Sequence, residues 1–162
     1  MAAGGAASHG LISANACGYM LAMQVHGSCV ARRGAGVLLL GPSGAGKSDL
    51  ALRLLDRGFA LVADDRVEIV DGTAQPPDGL AGMLEVRGLG ILRLPHLAAT
   101  RLALVVQLGA TGDRLPAPDR YAALDLPMIR LAAEAASAAQ RVELALDCAL
   151  GVHIQHAGAF AA

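Results

Sequence analysis

Apolar residues fall in short runs punctuated by glycine, aspartate and proline, and two periods alternate along the chain. Residues 20–31 carry the β-rich pattern of a strand, and Arg32-Arg33-Gly34 reads as the turn after it. Val37-Leu38-Leu39-Leu40 is an unbroken apolar run, the mark of a strand buried on both faces. From about 47 to 57 the period changes: Leu50 with Leu54, and Ala51 with Leu55, lie four apart and make one helical stripe. Asp49 and Arg53 form an i, i+4 pair on the outer face of that helix, and Gly58 is a natural stop. A short buried strand at 59–63 and a second at 66–70 follow, and Asp71-Gly72 marks a hairpin turn. Residues 75–79 are loop, and 83–95 hold two strand-like halves around Gly88 and Gly90. The run 102–108 is a further strand, and 109–118 is loop. After a short segment with Leu124, Leu126 and Pro127, residues 132–150 read as a closing helix on which Val142, Leu146 and Ala149 share a face. Gly151 can end it. Residues 1–10 and 152–162 are expected to be mobile tails, and no repeat or linker divides the single domain, 1–162. Strands alternating with helices predict an α/β fold.

The strand-to-helix junction carries the first chemistry. Residues 41–48 read Gly41-Pro42-Ser43-Gly44-Ala45-Gly46-Lys47-Ser48, the G-x-x-x-x-G-K-[ST] phosphate loop. Small residues let successive backbone N–H groups converge on phosphate oxygens, and the following helix adds its positive dipole end. Lys47 places a cation against the outer phosphates, and the Ser48 hydroxyl can ligate Mg²⁺. Asp64 and Asp65 stand 17 and 18 residues after Lys47, at the end of an apolar strand, where α/β sheets bind ligands. One carboxylate can hold the metal and the other accept a proton from an attacking hydroxyl, and the local sequence leaves open which does which.

Further candidates have two readings each. Glu85 and Arg87, in alternating spacing before Gly88 and Gly90, suit either metal plus phosphate or an ordinary ion pair. His26 is either a strand-end residue or a catalyst. Arg120, beside Asp119, is either a solvated loop residue or a cation for developing phosphoryl charge.

Bulk properties narrow the partners. A formal net charge of −1 supplies no field for nucleic acid or an anionic membrane, and 2% aromatics leave little for base stacking. Cys17, Cys29 and Cys148 are odd in number and lack metal-ligand spacing, which fits a reducing cytoplasm. Polar residues interrupt the apolar stretch 11–30, so it reads as neither a signal peptide nor a membrane span.

Together, the phosphate loop with Asp49, the stretch Leu61-Val62-Ala63-Asp64-Asp65-Arg66-Val67-Glu68, and Leu84-Glu85-Val86-Arg87-Gly88-Leu89-Gly90-Ile91 resemble HPr kinase/phosphorylase. The resemblance runs from about His26 to Arg130. It implies a phosphate-loop kinase domain with a mixed central sheet, related to the nucleotide core of phosphoenolpyruvate carboxykinase, in the short form without the N-terminal domain. It implies a cytoplasmic hexamer that uses ATP and Mg²⁺, or pyrophosphate, to phosphorylate a serine of HPr or an HPr-like phosphocarrier protein of the phosphotransferase system. The reverse phosphorolysis of that phosphoserine belongs to the same family. By resemblance His26 is the functional histidine, Lys47 the loop lysine, Ser48 and Glu85 metal ligands, and Arg120 the catalytic arginine. Asp64-Asp65 contains the proton acceptor, and the match leans to Asp65. Pro42 and Asp49 depart from the family's usual Asp and Glu, and Met128-Ile129-Arg130-Leu131 stands where the family has a flexible, lysine-containing loop. A small-metabolite kinase and a nucleotide-binding regulator without chemistry are the alternative functions.

Overall fold

The computed structural model describes residues 10–11 and 22–161. Cys17 and the first two residues of the expected 20–31 strand lie outside them, as does nearly all of the N-terminal tail. In chain order the elements are β1 (Gly10–Leu11), β2 (Ala22–Arg32), β3 (Ala35–Leu40), α1 (Lys47–Leu55), β4 (Ala60–Ala63), β5 (Arg66–Val70) and β6 (Thr73–Gln75). There follow β7 (Met83–Val86), β8 (Gly90–Arg93), β9 (Thr100–Leu108), β10 (Arg120–Tyr121), β11 (Leu126–Leu131) and α2 (Ala138–Ala149).

Nine strands form one mixed sheet, and β7 and β8 stand apart as a hairpin. β3 lies between β2, antiparallel to it, and β9, parallel to it, and β11 extends the sheet parallel to β9. The β2–β5, β5–β6 and β6–β9 pairings close a circuit back to β3, so the sheet curls on itself. The apolar run of β3 is explained by this placement. Val37 and Leu39 join the cluster with Leu50 and Leu54 of α1 and Val142 and Leu146 of α2. Leu38 and Leu40 join the opposite cluster with Val25, Val62, Val67 and Val105. Truncating such a fully buried leucine to alanine costs about 2–5 kcal/mol.

The turns follow the sequence. Arg33 (φ 55°) with Gly34 (φ 74°) joins β2 to β3, and Asp71 (φ 50°) with Gly72 (φ 76°) joins β5 to β6. Both central residues of each turn have positive φ, the geometry that matches strand twist in a two-residue hairpin. Gly58 (φ 84°) ends α1: its N–H donates to Leu55 O and that of Phe59 to Leu54 O. Gly151 closes α2 in the same way.

Two expectations change. The closing helix begins at Ala138, not 132, because residues 132–137 are turns held from outside: Arg53 donates to the carbonyls of Ala133 and Ala135. Tertiary hydrogen bonds there override the helix propensity of alanine. Residues 128–131 are strand β11, paired residue for residue with Val105 to Leu108. In the segment after Gly151, Phe160 packs against the helix-side core, and its N–H donates to Gln155 Oε1 at 2.6 Å.

At the end of the sheet remote from residues 41–48, a charge network ties the β2–β3 turn to both helices. Arg32 bonds Glu143 and, at 2.8 Å, buried Asp147, while its guanidinium lies 5.2 Å from the Phe59 ring centre. Arg57 reaches Glu143 from the end of α1, and His153 lies 3.6 Å from Asp147. Hydrogen bonding from Arg32, reinforced by Arg57, holds the Glu143 carboxyl below its ordinary value of 4.5. A carboxyl depressed in the folded state stabilises it fully above the unfolded value, and that stabilisation is lost as pH falls through the lower folded value. Glu143→Gln should therefore reduce stability at neutral pH and converge with wild type well below 4.5; urea unfolding across a pH series measures the convergence.

Candidate active site

The cleft opens where β3 gives way to α1. Gly41 (φ 153°), Gly44 (φ 81°) and Gly46 (φ 88°) take backbone conformations that side chains resist. A Cβ on Gly46 would also stand 2.9 Å from that of Ala133, so the loop packs closely on the 132–137 turns. The first N–H groups of α1 have no partner within the helix and face the loop's concavity, the arrangement that binds anions. Lys47 is buried, and its Nζ donates to the carbonyls of Gly41 at 2.8 Å and Pro42 at 2.9 Å. Burial lowers its pKa, and the charges of Asp64 and Asp65 oppose that shift.

Asp64 and Asp65 occupy the link between β4 and β5, opposite the point where β2 exchanges one for the other. β2 pairs with β5 up to His26↔Arg66 and with β4 from Cys29↔Ala63. Asp65 has φ 66°, and Arg66 N–H donates to Asp64 O at 2.8 Å, which closes a tight three-residue turn. Gly27 N–H donates to Asp65 O at 3.1 Å and pins the turn to β2. Gly27 is also pressed against β3, where a Cβ would lie 2.7 Å from Leu39 O.

The turn sends the two carboxylates to different surroundings. Asp64 is only 8% exposed. Its Oδ1 accepts from Ser28 Oγ at 2.6 Å and from Ser48 Oγ at 2.9 Å, and its Oδ2 lies 3.0 Å from the same Ser48 hydroxyl. The Glu85 backbone N–H adds a long contact of 3.4 Å to Oδ2. Asp65 is exposed at the cleft, with Oδ1 3.3 Å from His26 Nδ1.

The cleft, about 570 Å³, is lined by the phosphate loop and by His26, Ser28, Asp65, Glu85, Arg87 and Glu134, among others. His26, residues 43–48, Asp65 and Glu85 thus meet in one place, and Asp64 touches them from beneath. Gly41 and Pro42 complete the loop from the other side through Lys47. Arg120 is not brought into this cleft. It pairs with Pro127 at the start of β11, whereas the cleft lies beyond the ends of the parallel strands, and Asp125 holds its Nε at 2.6 Å. The guanidinium that does line the cleft is that of Arg87.

Sequence reasoning passed over Ser28 and the wall at Ala133 and Glu134. A serine directly before the apolar run Cys29-Val30-Ala31 was the available signal for the first. The second had none, because the wall depends on Arg53, which the sequence pairs only with Asp49.

The donors near Ser48 are all oxygens, which suits Mg²⁺. Among the described residues no group of three or more His, Cys, Asp or Glu side chains could hold a metal unaided. Mg²⁺ commonly needs only one or two carboxylates when substrate phosphates complete its shell, and Ser48, Asp64 and Glu85 fit that pattern. No helix among the described residues is long and apolar enough to cross a membrane.

A phosphate loop joining strand to helix, with acids at the end of a neighbouring strand, defines a phosphate-loop α/β domain. More narrowly, the chain belongs to the HPr serine kinase C-terminal domain family, whose model matches residues 19–114. It is 39% identical over 128 residues to the HPr kinase/phosphorylase of Enterococcus faecalis, across 67% of this chain and 41% of that one. It is 46% identical over 80 residues to the HPr kinase/phosphorylase of Xylella fastidiosa, across 45% of this chain and 25% of that one. The chain thus spans less than half the length of these relatives. Its fold matches the Hpr(Ser) kinase/phosphatase structure from Coxiella burnetii with a TM-score of 0.63 at 19% identity, over 80% of this chain and 90% of that one.

The left-handed conformation of Asp65 constrains how its role can be tested. Asparagine tolerates positive φ nearly as well as aspartate, whereas alanine pays the Cβ clash. Asp65→Asn should stay within about 0.5 kcal/mol of wild-type stability, and Asp65→Ala should lose about 1 kcal/mol; urea denaturation separates the two.

Proposed function

We propose that this chain transfers a phosphoryl group from Mg-ATP to the regulatory serine of HPr or an HPr-like phosphocarrier protein, within the phosphotransferase system. The observation that carries the reading is the division between the two acids: Asp64 buried against Ser48, and Asp65 exposed beside His26. The loop amides and Lys47 bind the nucleotide's outer phosphates. Ser48, Asp64 and Glu85 would hold Mg²⁺, which neutralises phosphate charge and orients the transferred group.

Asp65 accepts the proton of the substrate serine as its oxygen attacks the terminal phosphorus. The bond to the leaving ADP oxygen breaks as the new P–O bond forms, and the proton stays on Asp65. His26, within reach of the same carboxylate, orients it. Lys47 and Arg87 both line the cleft and would meet charge developing on the transferred phosphoryl. Run backwards, a protonated Asp65 returns its proton to the serine oxygen while inorganic phosphate attacks, which yields pyrophosphate. Pyrophosphate as donor, a homo-oligomer of hexameric size and a cytoplasmic location belong to the same reading.

The test is incubation of the chain with HPr and terminally labelled ATP, then of phospho-HPr with inorganic phosphate. Label should reach the HPr serine. Asp65→Asn should cut the rate about a hundredfold or more while nucleotide binding persists, and Lys47→Ala should weaken binding itself. Nucleotide turnover with small hydroxylated molecules and none with HPr would replace the reading with a metabolite kinase. Tight ATP binding with no product would replace it with a regulator.

A further inference from the structure

One buried polar side chain at the cleft has no part in the mechanism above. Ser28 sits in the middle of β2, has 0% exposure, and nevertheless borders the cleft. Its neighbours Cys29 and Val30 are apolar and equally buried, so the site itself does not call for a hydroxyl. Its Oγ donates to Asp64 Oδ1 at 2.6 Å, across 36 positions of sequence. That length is typical of a hydroxyl donating to an ionised carboxylate, a bond roughly twice as strong as a neutral one.

We propose that Ser28 is a positioning residue for the divalent-cation site, fixing the Asp64 carboxylate so that Ser48 presents its oxygen to the cleft. Ser48 has one proton and two lone pairs. While that proton points at Asp64, a lone pair is left for a cation. The arrangement holds only if the carboxylate cannot rotate away. Among the described residues three groups donate to it: Ser28 on Oδ1, Ser48 across both oxygens, and the Glu85 N–H weakly on Oδ2. Ser48 is itself the group being oriented, and the Glu85 contact is long at 3.4 Å. Ser28 is therefore the one strong, fully buried anchor.

Its position follows from the fold. Ser28 lies between the last β2–β5 pair, at His26, and the first β2–β4 pair, at Cys29. There the Asp64-Asp65 turn interrupts the ladder, and a side chain of β2 can reach Asp64. Paired with Leu39 on β3, Ser28 is held on its other side by a regular strand. Ser28, Asp64 and Ser48 thus form a relay from the core of the sheet to the phosphate loop.

The inference rests on the proposed use of Mg²⁺, so its test reads cation binding apart from phosphorylation. Mn²⁺ is titrated into the full chain with a non-hydrolysable ATP analogue and followed by electron paramagnetic resonance, for wild type, Ser28→Ala and the near-isosteric Ser28→Cys. Losing an outer hydrogen bond to a metal-bound carboxylate typically weakens metal affinity about 10–100-fold. Ser28→Ala should fall in that range and Ser28→Cys, with its weaker donor, between it and wild type. Cation-free affinity for the analogue should not change. Should Ser28→Ala fail to fold, Ser28→Cys carries the test. Mn²⁺ affinities of the folded variants within about twofold of wild type overturn the proposal, whatever happens to their melting temperatures, because Ser28 is then structural only. A wild-type chain that binds no Mn²⁺ with the analogue overturns it too. A chain that loses Mn²⁺ affinity on Ser28→Ala yet never phosphorylates HPr keeps this inference and sinks the proposed function instead.

Discussion

The buried Asp64 carboxylate is the constraint on which the site depends. Taking an ionised carboxylate out of water costs several kcal/mol unless its lone pairs are filled. Among the described residues the fold supplies two serine hydroxyls and a backbone N–H, from β2, the start of α1 and β7. Those donors can converge only because β4 and β5 are one path along β2 that is broken by the acidic turn. A continuous strand would send alternate side chains to opposite faces of the sheet and leave no gap for Ser28 to reach across. The irregularity in the sheet and the burial of the acid therefore require each other.

The same turn explains why two neighbouring identical residues are not redundant. The hydrogen bond from Arg66 to Asp64 O commits Asp65 to a left-handed backbone, a conformation that costs free energy and persists only where the surroundings enforce it. The enforcement comes from Gly27, which pins Asp65 O, and from the strands that begin immediately on either side. Asp65 thereby projects into the cleft toward His26 while Asp64 points beneath the loop. The exposed acid is open to the cleft, and the buried one is held by hydrogen bonds to Ser28 and Ser48.

Much of this was legible beforehand. The buried β3, the stop at Gly58 and the turns at Arg33-Gly34 and Asp71-Gly72 follow from local pattern, whereas Asp65 and Glu85 reach the loop from other elements and were singled out by residue type and resemblance. The family followed from two long motifs in order. The misses were non-local. The turns at 132–137 exist because Arg53 and Gly46 meet that segment, and alanine alone would have continued the helix. β11 is a strand because β9 offers an edge to pair with, which four residues of mixed character do not announce. Arg120 is pointed to by resemblance, and strand order pairs it with Pro127 at the start of β11. Likewise, no local pattern divides the work of Asp64 and Asp65, because the division is made by the partners of β2.

The charge lining the cleft bears on what enters it. Asp49, Asp65, Glu85 and Glu134 face Lys47 and Arg87 there. Asp49 is drawn off by Arg53 at 3.1 Å, yet acids still outnumber bases. A polyphosphate arriving bare would meet like charge from Asp65 and Glu85, softened by the solvent that reaches both. One arriving with a divalent cation would turn the same carboxylates into attractive partners. Lys47 stands on the other side of that balance, its charge made costlier by burial and supported by Asp64 and Asp65. The acidic lining therefore favours a ligand that arrives with its charge already balanced by a cation.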